Sequence, residues 1–186
     1  MVSTPGDSFI RWRNQAIRIL IFKRKVNGMR IRAATLTDTE RVFLTHKASI
    51  EALCAEHYEA QDIAGWIAVL SPGIYENAIN EKIMIVVEKG AEILGLGILD
   101  LGHKEIAAVY IHPTVKGLGV GKKMLLELEK TASENNVDQL TLCSTINALD
   151  FYKHHGYLEK NKSFHELSNG VKLECMQMYK SLGGND

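Results

Sequence analysis

Residues 105–123 read EIAAVYIHPTVKGLGVGKK. Ile106, Val109 and Ile111 give residues 105–111 the β-branched character of a strand. Pro113 has no N–H for a ladder and ends it. Gly117, Gly119 and Gly121 follow at every second position. From Val120 onward, Met124, Leu125, Leu128 and Ala132 recur at helical spacing. The unit is therefore strand, glycine loop, helix. Such a loop lets a ligand approach the main chain closely. The helix start aims free N–H groups, and the positive end of the helix dipole, at one spot. Lys116, Lys122 and Lys123 add full positive charge there. The pattern predicts an anion site suited to a phosphate or pyrophosphate.

Two common phosphate loops do not fit. A P-loop needs four residues between its glycines and then Lys-Ser/Thr; here three separate Gly117 from Gly121, and Lys122 precedes Lys123. A dinucleotide loop would place its third glycine at 122, which is Lys. The glycines alone leave open a turn without a ligand. The run Lys116-Gly117-Leu118-Gly119-Val120-Gly121 resembles the acyl-CoA loop of the GNAT N-acetyltransferases, Gln/Arg-x-x-Gly-x-Gly/Ala after a strand. It departs at Lys116, where lysine keeps the charge but lacks the planar fork of arginine. A second stretch, Asn147-Ala-Leu-Asp-Phe-Tyr-Lys-His-His-Gly-Tyr157, resembles the signature later in the same family, with Phe151-Tyr152 and Gly156-Tyr157 in register. The two together are far more specific than either alone.

The chain has 186 residues and no net formal charge, which suits one domain with an ordinary core. Its neutrality gives no basic field for nucleic acid. The charge is nevertheless uneven. Residues 1–28 carry six cations against Asp7, and the remainder is correspondingly acidic. The apolar run 17–22 is too short and interrupted to span a bilayer, and the cations follow it, unlike a secretory signal. Residues 1–28 read as a basic, flexible extension, and residues 29–182 as the domain. Cys54, Cys143 and Cys175 are odd in number and form no Cys-x-x-Cys pair. They predict small buried hydrophobes in a reducing cytoplasm, with neither a disulfide framework nor a metal site.

In order, the pattern predicts a strand from Met29 to Ala34. A helix over about 38–56 follows, introduced by Thr37 and Glu40 as a capping box, and then a second helix over 60–70 that stops at Ser71-Pro72-Gly73. A three-strand meander comes next, over 83–87, 93–99 and 105–111, with Gly95 and Gly97 marking weakness or a bulge. The 120–134 helix leads to a strand at 139–143, parallel to 105–111 by a right-handed crossover. A short helix over 146–154 and a final hairpin around Asn169-Gly170 complete the chain. This order is also that of the GNAT fold. The resemblance implies an α/β (α+β) architecture: a mixed, mostly antiparallel sheet, one parallel strand pair splayed around the acyl-CoA, and helices on both faces.

The same resemblance implies an acetyltransferase using acetyl-CoA and no metal. Backbone groups of Val109, Tyr110 and Ile111 would hold the pantetheine, the loop from Lys116 to Lys122 the pyrophosphate, and Asn147 and Tyr152 would also bind the cofactor. Tyr152 is then the acid for the departing thiolate. Its ordinary pKa of ~10 suits that task. Glu105 stands where several family members carry a glutamate base. A primary amine on a small molecule or peptide is the implied acceptor. The expected partners include a second copy of the chain as a homodimer, but neither nucleic acid nor a stably inserted membrane. His46, His57 and Tyr58 fall on the segment that walls the substrate side in that family, whereas His112 and Trp66 read as structural. The reading from a different class is a CoA-binding regulatory module without catalysis.

Overall fold

The computed structural model describes residues 24–26 and 28–183. Most of the predicted extension lies outside these residues. Eight strands form one sheet in the order β1-β2-β3-β4-β5-β6-β8-β7. They are β1 (Arg24–Val26), β2 (Met29–Ala33), β3 (Ile83–Lys89), β4 (Glu92–Asp100), β5 (Glu105–Ile111), β6 (Gln139–Thr145), β7 (Leu158–Glu166) and β8 (Lys172–Ser181). Every pairing is antiparallel except β5 with β6. The helices are α1 (Thr39–Leu53), α2 (Ala60–Ala68), α3 (Pro72–Glu81), α4 (Val120–Glu134) and α5 (Leu149–His154).

Three local readings change. β1 lies ahead of Met29 and pairs with β2, Arg24 opposite Ile31. Ser71-Pro72-Gly73, expected to stop a helix, also starts one: Ser71 is the N-cap of α3 and Pro72 occupies its first turn, where a missing N–H costs nothing. Tyr75 anchors α3 in the core. Before α1 the reciprocal pair is Thr35 with Asp38, not Thr37 with Glu40. Asp38 Oδ2 accepts from the Thr35 N–H and hydroxyl, both at 2.8 Å. Asp38 is fully buried, and Arg32 binds it through both oxygens. These contacts hold its carboxyl well below the usual carboxylate range.

The sheet separates two packed layers. On one face Met124, Leu125 and Leu128 of α4 meet Ile85, Leu99 and Ile106. On the other, Val42 of α1 and Tyr75 of α3 meet Val86 and Leu96, while Ile50 and Trp66 pack with Leu173. Two bulges interrupt the alternation. Leu94 is an extra residue between the Ile93–Glu88 and Gly95–Val87 pairs. Ala107 is extra between Ile106–Leu99 and Ala108–Ile98. A Cβ on Gly95 would lie 2.8 Å from Met124 Sδ, and one on Gly97 would lie 3.0 Å from Leu128 Cδ1. These glycines therefore let α4 lie close against β4.

The structure corrects the cysteine expectation. Cys143 and Cys175, 32 residues apart, form a disulfide between the neighbouring strands β6 and β8. An odd count in sequence does not reveal which strands will be adjacent. Cys54 is buried and free, as a small hydrophobe should be.

Candidate active site

Registered pairing between β5 and β6 is confined to Glu105 opposite Thr141. Beyond that point the two strands part, and hollows open on both sides of the gap. The first has a volume of about 540 Å³ and holds the glycine loop, the start of α4, the end of α1 and α5. The second, of about 480 Å³, lies on the α1–α3 side and reaches Glu105. Tyr110 of β5 and Thr145 of β6 belong to the walls of both. The first is called the donor cleft below, the second the acceptor cavity.

The loop of the donor cleft is built for close approach. Gly117 and Gly119 have φ of +80° and +74°, and nothing lies within 4 Å of a Cβ built on either. Gly119 is the N-cap of α4 in the left-handed conformation, which glycine adopts without steric cost. The N–H groups of Val120, Gly121 and Lys122 begin the helix and have no acceptor within it. The Lys116 and Lys122 side chains also line the cleft. The open cradle, free donors and cations fit a pyrophosphate. Leu118 differs from its neighbours: it is exposed, stands outside the cleft wall, and its N–H donates to Val115 O at 3.2 Å.

The other residues predicted for the donor side also line this cleft. Val109 and Ile111 of β5 line one wall, and Asn147 and Tyr152 line the opposite one. Tyr152 is 7% exposed, and burial raises its phenol above the ordinary value, so it stays protonated at neutral pH. Sequence reading missed the third wall. Ser49, Leu53 and Cys54, at the end of α1, close the cleft. The Cys54 thiol donates to Asn147 Oδ1 at 3.5 Å, and burial pushes its pKa up to about 11. Their only signal in sequence was their place on a helix of ordinary amphipathic pattern. His57 also lines this cleft, while His112 caps the turn after β5 by accepting from the Thr114 N–H.

Glu105 does not join this group. It lines the acceptor cavity, five residues and therefore roughly 16 Å along an extended strand from Tyr110. The bulge decides its side. Strict alternation would put Glu105 on the face of Val109 and Ile111. With Ala107 extra, Ile106 takes that face in the core and Glu105 shares the opposite one with Ala108 and Tyr110.

The acceptor cavity is walled by rings. His46 stacks on Tyr110 with centroids 3.8 Å apart, and Trp66 meets Tyr110 and Tyr58 edge-on at 6.2 and 6.0 Å. His46 Nδ1 shares a 2.9 Å hydrogen bond with the Tyr75 hydroxyl. Burial lowers the His46 pKa to about 3, leaving the ring neutral. Tyr58 is a strut between elements: its hydroxyl donates to Glu174 O at 2.7 Å and accepts from the Ile146 N–H at 3.1 Å. Trp66, expected to be structural, is buried in the core and lines the cavity as well.

The family model for the acetyltransferase (GNAT) domain matches residues 54–180, and the chain belongs to that family. No curated protein matches it in sequence. Among solved structures, it is similar to a GCN5-related N-acetyltransferase from Rhodopseudomonas palustris, at 24% identity and a TM-score of 0.78, covering 85% of this chain and 98% of that one. PaiA N-acetyltransferase from Thermoplasma acidophilum, solved in complex with coenzyme A, is 19% identical with a TM-score of 0.69, over 82% and 98% of the two chains. YncA from Salmonella typhimurium, solved with acetyl-CoA, is 20% identical with a TM-score of 0.58, over 86% and 96%. At these identities the likeness is one of fold. No helix among the described residues is long and apolar enough to cross a membrane, and no group of three metal-ligating side chains occurs among them.

Proposed function

We propose that this protein transfers an acetyl group from acetyl-CoA, bound in the donor cleft, to a primary amine in the acceptor cavity, by direct attack in a ternary complex. One observation carries the reading: the two hollows flank the gap between the parallel strands and share Tyr110 and Thr145 as walls. In this reading a donor on one side and an acceptor on the other come together past those two residues. The loop from Lys116 to Lys122 holds the pyrophosphate, and the parted edge of β5 at Val109–Ile111 offers backbone groups to the pantetheine, as an added strand would use them. The amine nitrogen attacks the thioester carbonyl, the C–S bond breaks, the amine gives up one proton and the thiolate takes one.

Tyr152 supplies the proton to the thiolate. Its phenol lines the donor side and carries its proton at neutral pH, although burial makes it a weaker acid than a free tyrosine. Glu105 takes the amine's proton through water, since its distance from the junction excludes direct contact. A covalent acyl-cysteine route is disfavoured because Cys54, the cysteine of the cleft, retains its proton, and the thiolate is the nucleophile. The reading places the enzyme in the cytoplasm with its donor.

The test is thiol release from acetyl-CoA with a panel of amines, using wild type and Tyr152→Phe. The variant keeps the ring and removes the hydroxyl. Turnover is expected to fall roughly 10²–10⁴-fold, the span for one positioned acid, with acetyl-CoA affinity held. Wild-type turnover by Tyr152→Phe would leave solvent as the acid.

A further inference from the structure

We propose that the acceptor is a primary amine carried on an aromatic or bulky apolar body, and that His46 Nε2 holds its nitrogen. This rests on the acyl-transfer reading above and narrows it. Five rings run continuously along the cavity: Tyr58 to Trp66, Trp66 to Tyr110, Tyr110 to His46, and His46 to Tyr75. Leu70, Ile74 and Leu96 extend the apolar wall. A hollow of about 480 Å³ lies within the range for small-molecule sites lined mainly by apolar and aromatic groups. Flat rings give a flat or bulky apolar body edge-to-face and stacked contact. A slim polar chain would leave that surface poorly covered.

Charge narrows the class further. Lys82 in the wall is held by Asp100 at 2.9 Å, and Glu105 is a carboxylate. An acceptor bearing its own carboxylate would meet Glu105 with that lysine already engaged. An amine arriving as ammonium is attracted by Glu105 and the ring faces, and the apolar wall then favours its neutral form.

His46 supplies the polar anchor. Its Nδ1 is engaged by Tyr75, while Nε2 is buried with no hydrogen-bond partner among the described residues. Buried nitrogens are seldom left so. The ring lines the acceptor cavity and is stacked on Tyr110, one of the two residues both hollows share. With the proton on Nδ1 donated to the Tyr75 oxygen, Nε2 accepts from an amine N–H and leaves the nitrogen lone pair free to attack the thioester. His46 is a positioning residue in this scheme, since the proton leaves through water to Glu105.

The experiment is steady-state kinetics of the full chain with acetyl-CoA and three acceptor classes: 2-phenylethylamine and tryptamine; putrescine and spermidine; free amino acids and a short peptide with a free N-terminus. The arylalkylamines are expected to exceed the other classes at least ~10-fold in kcat/KM, the scale on which an apolar pocket discriminates. His46→Phe keeps a stacked ring and removes Nε2 together with the Nδ1 bond to Tyr75. It is expected to raise the amine KM about 10-fold, with the acetyl-CoA KM unchanged; Tyr75→Phe, which removes that bond and keeps Nε2, is expected to leave the amine KM unchanged. A linear polyamine, amino acid or peptide preferred over the arylalkylamines overturns this inference and leaves acyl transfer standing. An unchanged amine KM in folded His46→Phe removes His46 from the site. Acetyl-CoA binding without transfer to any amine overturns both readings. The comparison of acceptor classes uses wild-type protein and does not depend on a variant folding.

Discussion

The two hollows flanking the β5–β6 gap are nearly equal in volume and opposite in construction. The donor cleft takes its chemistry from one short run of backbone, the loop and helix start over 116–122 apart from Leu118, with two glycines in the left-handed region. The acceptor cavity takes its chemistry from side chains on α1, α2, α3, β5, β6 and the final hairpin. A backbone site repeats wherever the local sequence repeats, because N–H groups and a dipole need only the right dihedrals. A side-chain site must be assembled again in each protein from packing. This is why the donor can be named with some precision and the acceptor only by class.

The sharpest way to break the comparison is Gly121→Glu. Gly121 lies in the first turn of α4, and a Cβ there meets only Phe151, at 3.5 Å, so the fold has room for a side chain. A carboxylate in the anion site should repel the pyrophosphate and abolish measurable CoA binding by calorimetry, with the melting temperature held and the acceptor cavity intact. Wild-type affinity in the folded variant would detach the loop from the donor.

The next effect falls on the acceptor side alone. Cys143 and Cys175 both line the acceptor cavity and neither lines the donor cleft. Reducing their bond, or making Cys143→Ser, releases a closure spanning 32 residues, worth roughly 3–4 kcal/mol in the chain-entropy account. Denaturation with and without reductant should show that loss. The amine KM should rise while CoA affinity holds. Intact-mass analysis after alkylation in cells reports which form operates.

His46 offers a smaller, graded test of the acceptor wall. Its folded pKa of about 3 lies below its ordinary 6.5. Below pH 6.5 the unfolded chain therefore binds a proton that the folded chain refuses, and stability falls as pH drops. The slope approaches ~1.4 kcal/mol per pH unit. The window from about 6 down to about 5 belongs to the histidine, since Asp38, Glu88 and Asp100, whose pKa values are depressed, draw protons in the unfolded chain only below it. His46→Phe should flatten urea midpoints across that window. An unchanged slope would mean that the ring is not held neutral by burial.

The smallest expected effect is that of starting the chain at Met29. This removes everything before Met29, including the three-residue strand β1, which β2, β3 and β4 separate from β5 in the sheet. Acetyl-CoA affinity should stay within about twofold, since surface changes away from a site are near neutral. Loss of binding by soluble protein would make residues 1–28 part of the domain.

Local features were legible in the sequence. The 120–134 helix stands where its apolar spacing predicts, because a 3.6-residue period reports burial of one face whatever the neighbour is. The glycine loop and the Asn169-Gly170 turn were legible because backbone conformations that favour glycine leave it in the sequence. Gly170 has φ of +84°. The Phe151-Tyr152 pair could be placed beside the loop once a parallel crossover was inferred.

Tertiary structure decided the rest. Whether Glu105 faces donor or acceptor depends on one extra residue, Ala107, and alternation within β5 cannot show a bulge that exists only relative to β4. The pairing of Cys143 with Cys175 needed the adjacency of β6 and β8. His46, Trp66, Tyr75 and Tyr110 occupy four elements, each residue ordinary for a core, and only packing makes them one wall. Sequence by itself determined the glycine loop and the helix it starts, because both are written in periodicity and backbone chemistry, and its two motifs carried the resemblance to the family. What the loop's partner cavity accepts is a property of side chains that meet only after the chain has folded.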